Sequence, residues 1–165
     1  MKRRYVIGID GSGVDEFIRG IDEYQRWLKA KCEELAKRLA DLGAESAKIT
    51  FETAEYIGDN DVTVTVENRG DGRYAVIANG EAALVIEFGS GITYGYGHPE
   101  ANEHGMGPGT YPDAKGHWND PKGWYLPKAK GGQHTYGNPP DMAMYGGVRA
   151  IEQDLAQIVR EVFGS

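Results

Sequence analysis

Apolar positions recur at Val14, Phe17, Ile18, Ile21, Tyr24, Leu28, Cys32, Leu35, Leu39 and Leu42, three and four residues apart, while Lys29, Glu33, Lys37 and Asp41 fall between them. That spacing predicts an amphipathic helix over 14–42 with one buried stripe. Ser12 with Asp15 forms a capping-box-like start, and Gly43 stands where a helix ends in a left-handed residue. At 1.5 Å per residue such a helix is about 40 Å long, more than a small sheet covers, so part of its stripe is expected to face another chain.

The pattern then changes period. Residues 46–58, 61–68 and 73–79 are rich in β-branched and aromatic side chains and are separated by turn residues, which predicts three strands in a meander. Val62, Val64 and Val66 share one face and Thr63 and Thr65 the other, the mark of a half-buried antiparallel sheet packed on the long helix. Residues 82–88 read as a short helix. Met142, Met144, Tyr145, Val148, Ile151, Leu155, Ile158, Val159 and Val162 mark a last amphipathic helix, with Gly146 and Gly147 pointing to close packing near its start. The expected class is α+β: a long N-terminal helix on an antiparallel β-meander, a long Gly/Pro/aromatic-rich insertion loop and a C-terminal amphipathic helix. A single domain covers 1–165, with a helix-and-sheet core over 1–89, an extended aromatic loop over 90–140 and the last helix over 141–163.

Between the core and the last helix, no helical or period-two pattern survives over 86–140. All seven prolines and all four histidines lie there, with glycine every few residues. A connection of about 50 residues is several times the usual loop length, and loops that long are disordered or functional. Disordered segments lack aromatics, whereas this one carries Phe88, Tyr94, Tyr96, Tyr111, Trp118, Trp124, Tyr125 and Tyr136. Rings at that density predict a surface completed by neighbouring subunits. Removing 95–132 is then expected to leave a folded core and block assembly.

Composition narrows the classes. The single cysteine, Cys32, excludes an internal disulfide framework. Apolar runs are too short to span a bilayer, and residues 1–10 lack the apolar core of a signal peptide, so neither a membrane nor export is expected. A net charge of −7 argues against a broad electrostatic hold on nucleic acid, and only Lys2, Arg3 and Arg4 cluster.

Candidate chemistry fails on spacing. The run VIGIDGSG at 6–13 opens like an actin-like ATPase or a resolvase-like nuclease, but leads directly into a helix where both need a hairpin. His98, His104, His117 and His134, beside Glu100, Glu103, Asp113 and Asp120, lack the short fixed intervals of a zinc motif. Ser90 in FGSGI lacks the strand and helix of a nucleophile elbow, and no spacing pairs Glu87, Glu100 and Glu103 as acid and base. No catalytic residue, metal or cofactor is expected. The alternatives are a small metal-dependent enzyme or nuclease using the loop histidines and acids, or a carbohydrate- or peptide-binding module using the loop aromatics.

The order IEFGSG, GPGTYP, GHW, DPKGWYLP, HTYGNPPDMAMY and a final amphipathic helix resembles the tail-completion (tail terminator, head-tail joining) minor structural proteins of tailed phages and prophages, over 84–163. The resemblance implies a non-enzymatic subunit that forms a ring, of six copies, at the head-proximal end of the tail tube. Its implied partners are other copies of itself, the tail tube protein and the neck or connector proteins, with no membrane and no sequence-specific nucleic acid. The implied place is the tail or neck of a virion assembled in the bacterial host cytoplasm. On this reading Glu87, Gly89 and Gly91 carry the family's turn after the short helix, and Pro139, Pro140, Met142 and Met144 its entry into the last one. Phe88, Tyr94, Tyr96, Tyr111, Trp118, Trp124, Tyr125, His134 and Tyr136 are the expected subunit-interface residues.

Overall fold

A computed structural model describes residues 11–56, 59–94, 97–106, 120–126, 128 and 132–164, with side chains from residue 13 onward. The run at 1–10, including most of the VIGIDGSG segment, lies outside the described residues.

The chain is α+β. Helix α1 (Gly11–Thr53) is followed by the antiparallel hairpin β1 (Thr63–Gly70) and β2 (Arg73–Asn79), then α2 (Ala83–Phe88), α3 (Gly91–Tyr94), a 3-10 turn (Ala101–His104), a two-rung hairpin β3 (Trp124–Tyr125) and β4 (His134–Thr135), and finally α4 (Ala143–Phe163).

Three expectations need correction. The first predicted strand, 46–58, is helical as far as Thr53, so the meander is a two-stranded hairpin. Gly43 does not end α1: it lies mid-helix, where a Cβ at Gly147 would come 2.7 Å from its carbonyl oxygen. The β-branched content of 46–53 is overridden because Ala40, Gly43, Ala47 and Phe51 are buried at helical spacing against α4 and the core. The start also differs, because α1 is already helical at Gly11 and Ser12 lies within its first turn.

The hairpin follows the pattern. Val62, Val64 and Val66 are half-buried while Thr63 and Thr65 are exposed, with Val64 opposite Ala78 and Val66 opposite Val76. Asp71 and Gly72 take positive φ (50° and 71°), as an Asp-Gly hairpin turn requires. The core sits where the C-terminal end of α1 meets this hairpin, α2 and the start of α4. Phe51, Ala82, Ile86 and Ala143 are buried there, with Val62, Val64, Ala78 and Met144 around them. Asp61 holds the entry to α2 by accepting the backbone N–H groups of Glu81 (2.8 Å) and Ala82 (3.0 Å).

Helix α4 runs antiparallel to α1. Gly147 crosses at Gly43 and Ala47, Glu161 pairs with Arg38, and the Phe163 ring meets Trp27 edge-on at 6.1 Å. Residues 11–26 therefore project about 24 Å past the end of α4. On that projection Val14 and Ile18 are 47% and 51% exposed.

Candidate functional site

The expected loop is not featureless, and its two ends are locked together. Ser90 donates its backbone N–H to the Asn138 carbonyl (2.9 Å), and Asn138 returns its own N–H to Ser90 Oγ (3.0 Å). Glycine is needed on both sides of this crossing. Gly89, Gly91 and Gly137 have φ of 74°, 78° and 108°, and a Cβ on any of them would strike the opposite backbone: Asn138 O, Tyr136 O and Ser90 O respectively. The motifs IEFGSG and TYGNPP are thus two halves of one junction. Ser90 is buried and its hydroxyl is engaged by Asn138.

Glu87 lies at the centre. It occupies the last turn of α2, nearly buried, and its carboxylate accepts the backbone N–H groups of Met144 (2.7 Å) and Tyr145 (3.0 Å). A helix leaves its first N–H groups without intrahelical partners, and Met142, left-handed at φ 54°, provides no side-chain cap for α4. A carboxylate from another element meets that need and complements the positive end of the helix dipole. The Ile86 and Glu87 carbonyls also accept the N–H groups of Asp141 (2.8 Å) and Met142 (3.3 Å).

The third donor to Glu87 is His98 Nε2, at 3.1 Å. His98 Nδ1 accepts the Glu100 N–H at 3.1 Å, so the ring's proton sits on Nε2 and points at Glu87. The imidazole is buried between Phe88 (centroids 4.5 Å apart) and Tyr145 (5.5 Å). Phe88 itself is buried against Ala101 and Met106 and lies 5.5 Å from the His104 ring. A mostly apolar cleft of about 340 Å³ opens beside this cluster, lined among others by Phe51, Ala78, Leu84, Met144 and Val148. Nearby, burial and then the charge of Glu55 raise the Asp141 carboxyl above the usual carboxylate range, and Asp141 Oδ2 has no hydrogen-bond partner among the described residues.

The expected interface residues divide. Phe88 is a core residue, because residues 98–106 fold back over it, and that same packing means removal of 95–132 would open the core rather than spare it. Trp124 is half-buried with its ring near Gly91. Tyr125, Tyr136 and Tyr94 are 74%, 50% and 40% exposed. The exposed His134 ring sits edge-on between Tyr125 (4.9 Å) and Tyr136 (5.0 Å), and its Nε2–H donates to the Lys122 carbonyl at 2.9 Å. Tyr96, Tyr111 and Trp118 lie outside the described residues. Of the motif residues, Pro140 packs its ring against Gly89 and Gly97, Pro139 is exposed, and Met144 packs on the core. The sequence reading missed His98 as the partner of Glu87, and Asn138 and Asp61 as anchors. The only local signal was the company of Asn138, which sits between a glycine and a proline pair.

Among the described residues, no three histidine, cysteine or carboxylate side chains converge as metal ligands would. His98 is committed to Glu87 and Glu100, and His134 to Lys122. Comparison of the chain with protein-family models, curated proteins and solved structures finds no match.

Proposed function

We propose that this chain is a non-enzymatic structural subunit of a phage or phage-tail-like particle, forming a ring at the head-proximal end of the tail tube for tail completion and head-tail joining. The observation that carries the reading is a pair of exposed apolar faces at opposite ends of α1. One is the projecting half of α1 with Val14 and Ile18; the other is the β3–β4 hairpin with Tyr125 and Tyr136, which adjoins α2 and the C-terminal end of α1. Two different faces, far apart on one subunit, suit heterologous contacts, which form a ring when the rotation between neighbours closes. The ring of exposed aromatics on a short hairpin offers large contact area at small conformational cost. The polar groups at the junction are turned inward to hold α4, which fits a scaffold better than a reacting centre. The partners proposed are other copies, the tail tube protein and neck proteins.

Sedimentation of the purified chain and electron microscopy of its particles test this. Rings, or subunits at one end of tail tubes, are expected. A chain that stays monomeric and never joins a particle would overturn the proposal.

A further inference from the structure

The cleft beside Glu87 is mostly apolar, and its volume of about 340 Å³ falls within the ~300–1,000 Å³ range of ligand-binding pockets. Leu84 and Val148 at its lining are 44% and 53% exposed. Among the described residues that line it there is no lysine or arginine; the Glu87 carboxylate is taken up by its three N–H donors, Glu100 also lines the cleft, and Glu103 follows on the 3-10 turn. Ala78 of β2 also lines it, and β2 pairs with β1 alone, so its other edge is unpaired among the described residues. An apolar trough with Glu100 and Glu103 at one end, beside an open strand edge, suits an extended apolar segment preceded by positive charge, taken up partly by strand addition.

The chain contains one such segment: Lys2, Arg3 and Arg4 followed by Tyr5, Val6 and Ile7. It cannot reach the cleft of its own chain. Gly11 and Phe51 lie about 60 Å apart along α1 at 1.5 Å per residue, and six residues, 5–10, extend at most about 21 Å. We propose that residues 5–9 of one copy seat in the Glu87 cleft of the neighbouring copy, with Lys2, Arg3 and Arg4 facing Glu100 and Glu103. The inference rests on the ring reading and names its joint: a head-to-tail contact in which each copy gives an arm at one end of α1 and receives one at the other.

The test uses the full-length chain with Cys32→Ser. Ile7→Cys and Val148→Cys chains are mixed, oxidised and sized under denaturing conditions. A covalent dimer is expected from the mixture, in clear excess over either variant oxidised alone. Sedimentation then compares the wild-type chain with Val6→Asp/Ile7→Asp, for which at least a ten-fold weaker self-association is expected. If the wild type assembles but the mixture yields no excess dimer, or the aspartate variant assembles equally well, the arm is misplaced while the ring reading stands. A wild-type chain that remains a monomer overturns both.

Discussion

The Glu87 carboxylate accepts the backbone N–H of Tyr145 at 3.0 Å across a sequence separation of 58 residues, so the last turn of one helix caps the first turn of another. Every residue of the long insertion lies between these two. The insertion can vary in what it presents because its base is fastened by Glu87, by the Ser90–Asn138 pair and by the interleaved glycines.

The cap gives an ordered series of stabilities. Glu87→Ala leaves two helix N–H groups and His98 without their acceptor in a buried place, and should cost about 2–3 kcal/mol. Glu87→Gln keeps one acceptor oxygen and should cost about 1 kcal/mol less. Urea unfolding of the two variants measures the order; equal losses would mean that the cap is not what holds α4.

Adjacent glycines should respond with opposite sign. A Cβ at Gly147 would come 2.7 Å from the Gly43 carbonyl, whereas one at Gly146 would meet nothing within 4 Å. Gly147→Ala should destabilise by about 1–3 kcal/mol through overpacking. Gly146→Ala should stabilise by about 0.5–1 kcal/mol, because alanine is the better helix former. Thermal or urea unfolding reads both.

Asp141 predicts a pH dependence. Its folded carboxyl is raised, by burial first and by Glu55 second, so the folded state holds this proton more tightly than the unfolded one. Its contribution is fully present below the ordinary carboxylate value of about 3.9 and is lost as pH rises through the raised folded value. Asp141→Asn should remove that loss. Unfolding free energy followed from acid to neutral pH should show the variant gaining on the wild type as pH rises.

Tyr125 and Tyr136 separate folding from assembly. Tyr125 is largely exposed and Tyr136 half exposed, each touching the His134 ring, so the double substitution to serine should change the subunit's unfolding free energy by about 1 kcal/mol per site at most. On the proposed ring reading, the same double substitution should abolish ring formation in sedimentation. A doubly substituted chain that still forms normal rings would remove the hairpin from the interface.

What the sequence determined by itself is local. The apolar spacing from Val14 and from Met144 shows one face of each long helix, the valine-threonine alternation at 62–66 shows one face of the hairpin, and the density of glycine and proline shows where regular structure stops. Tertiary structure decided what depends on distant partners. Gly43 reads as a helix stop, yet the helix continues through it as a crossing point, because the space a side chain would fill is taken by the Ile151 side chain of α4. The segment 46–53 reads as strand, yet Ala47 and Phe51 continue the face begun at Ala40, and burial there outweighs β-propensity. Glu87, His98 and Tyr145 are remote along the chain, and no period connects them. Their meeting depends on a helix end that lacks its own cap and on a backbone crossing that only glycine permits.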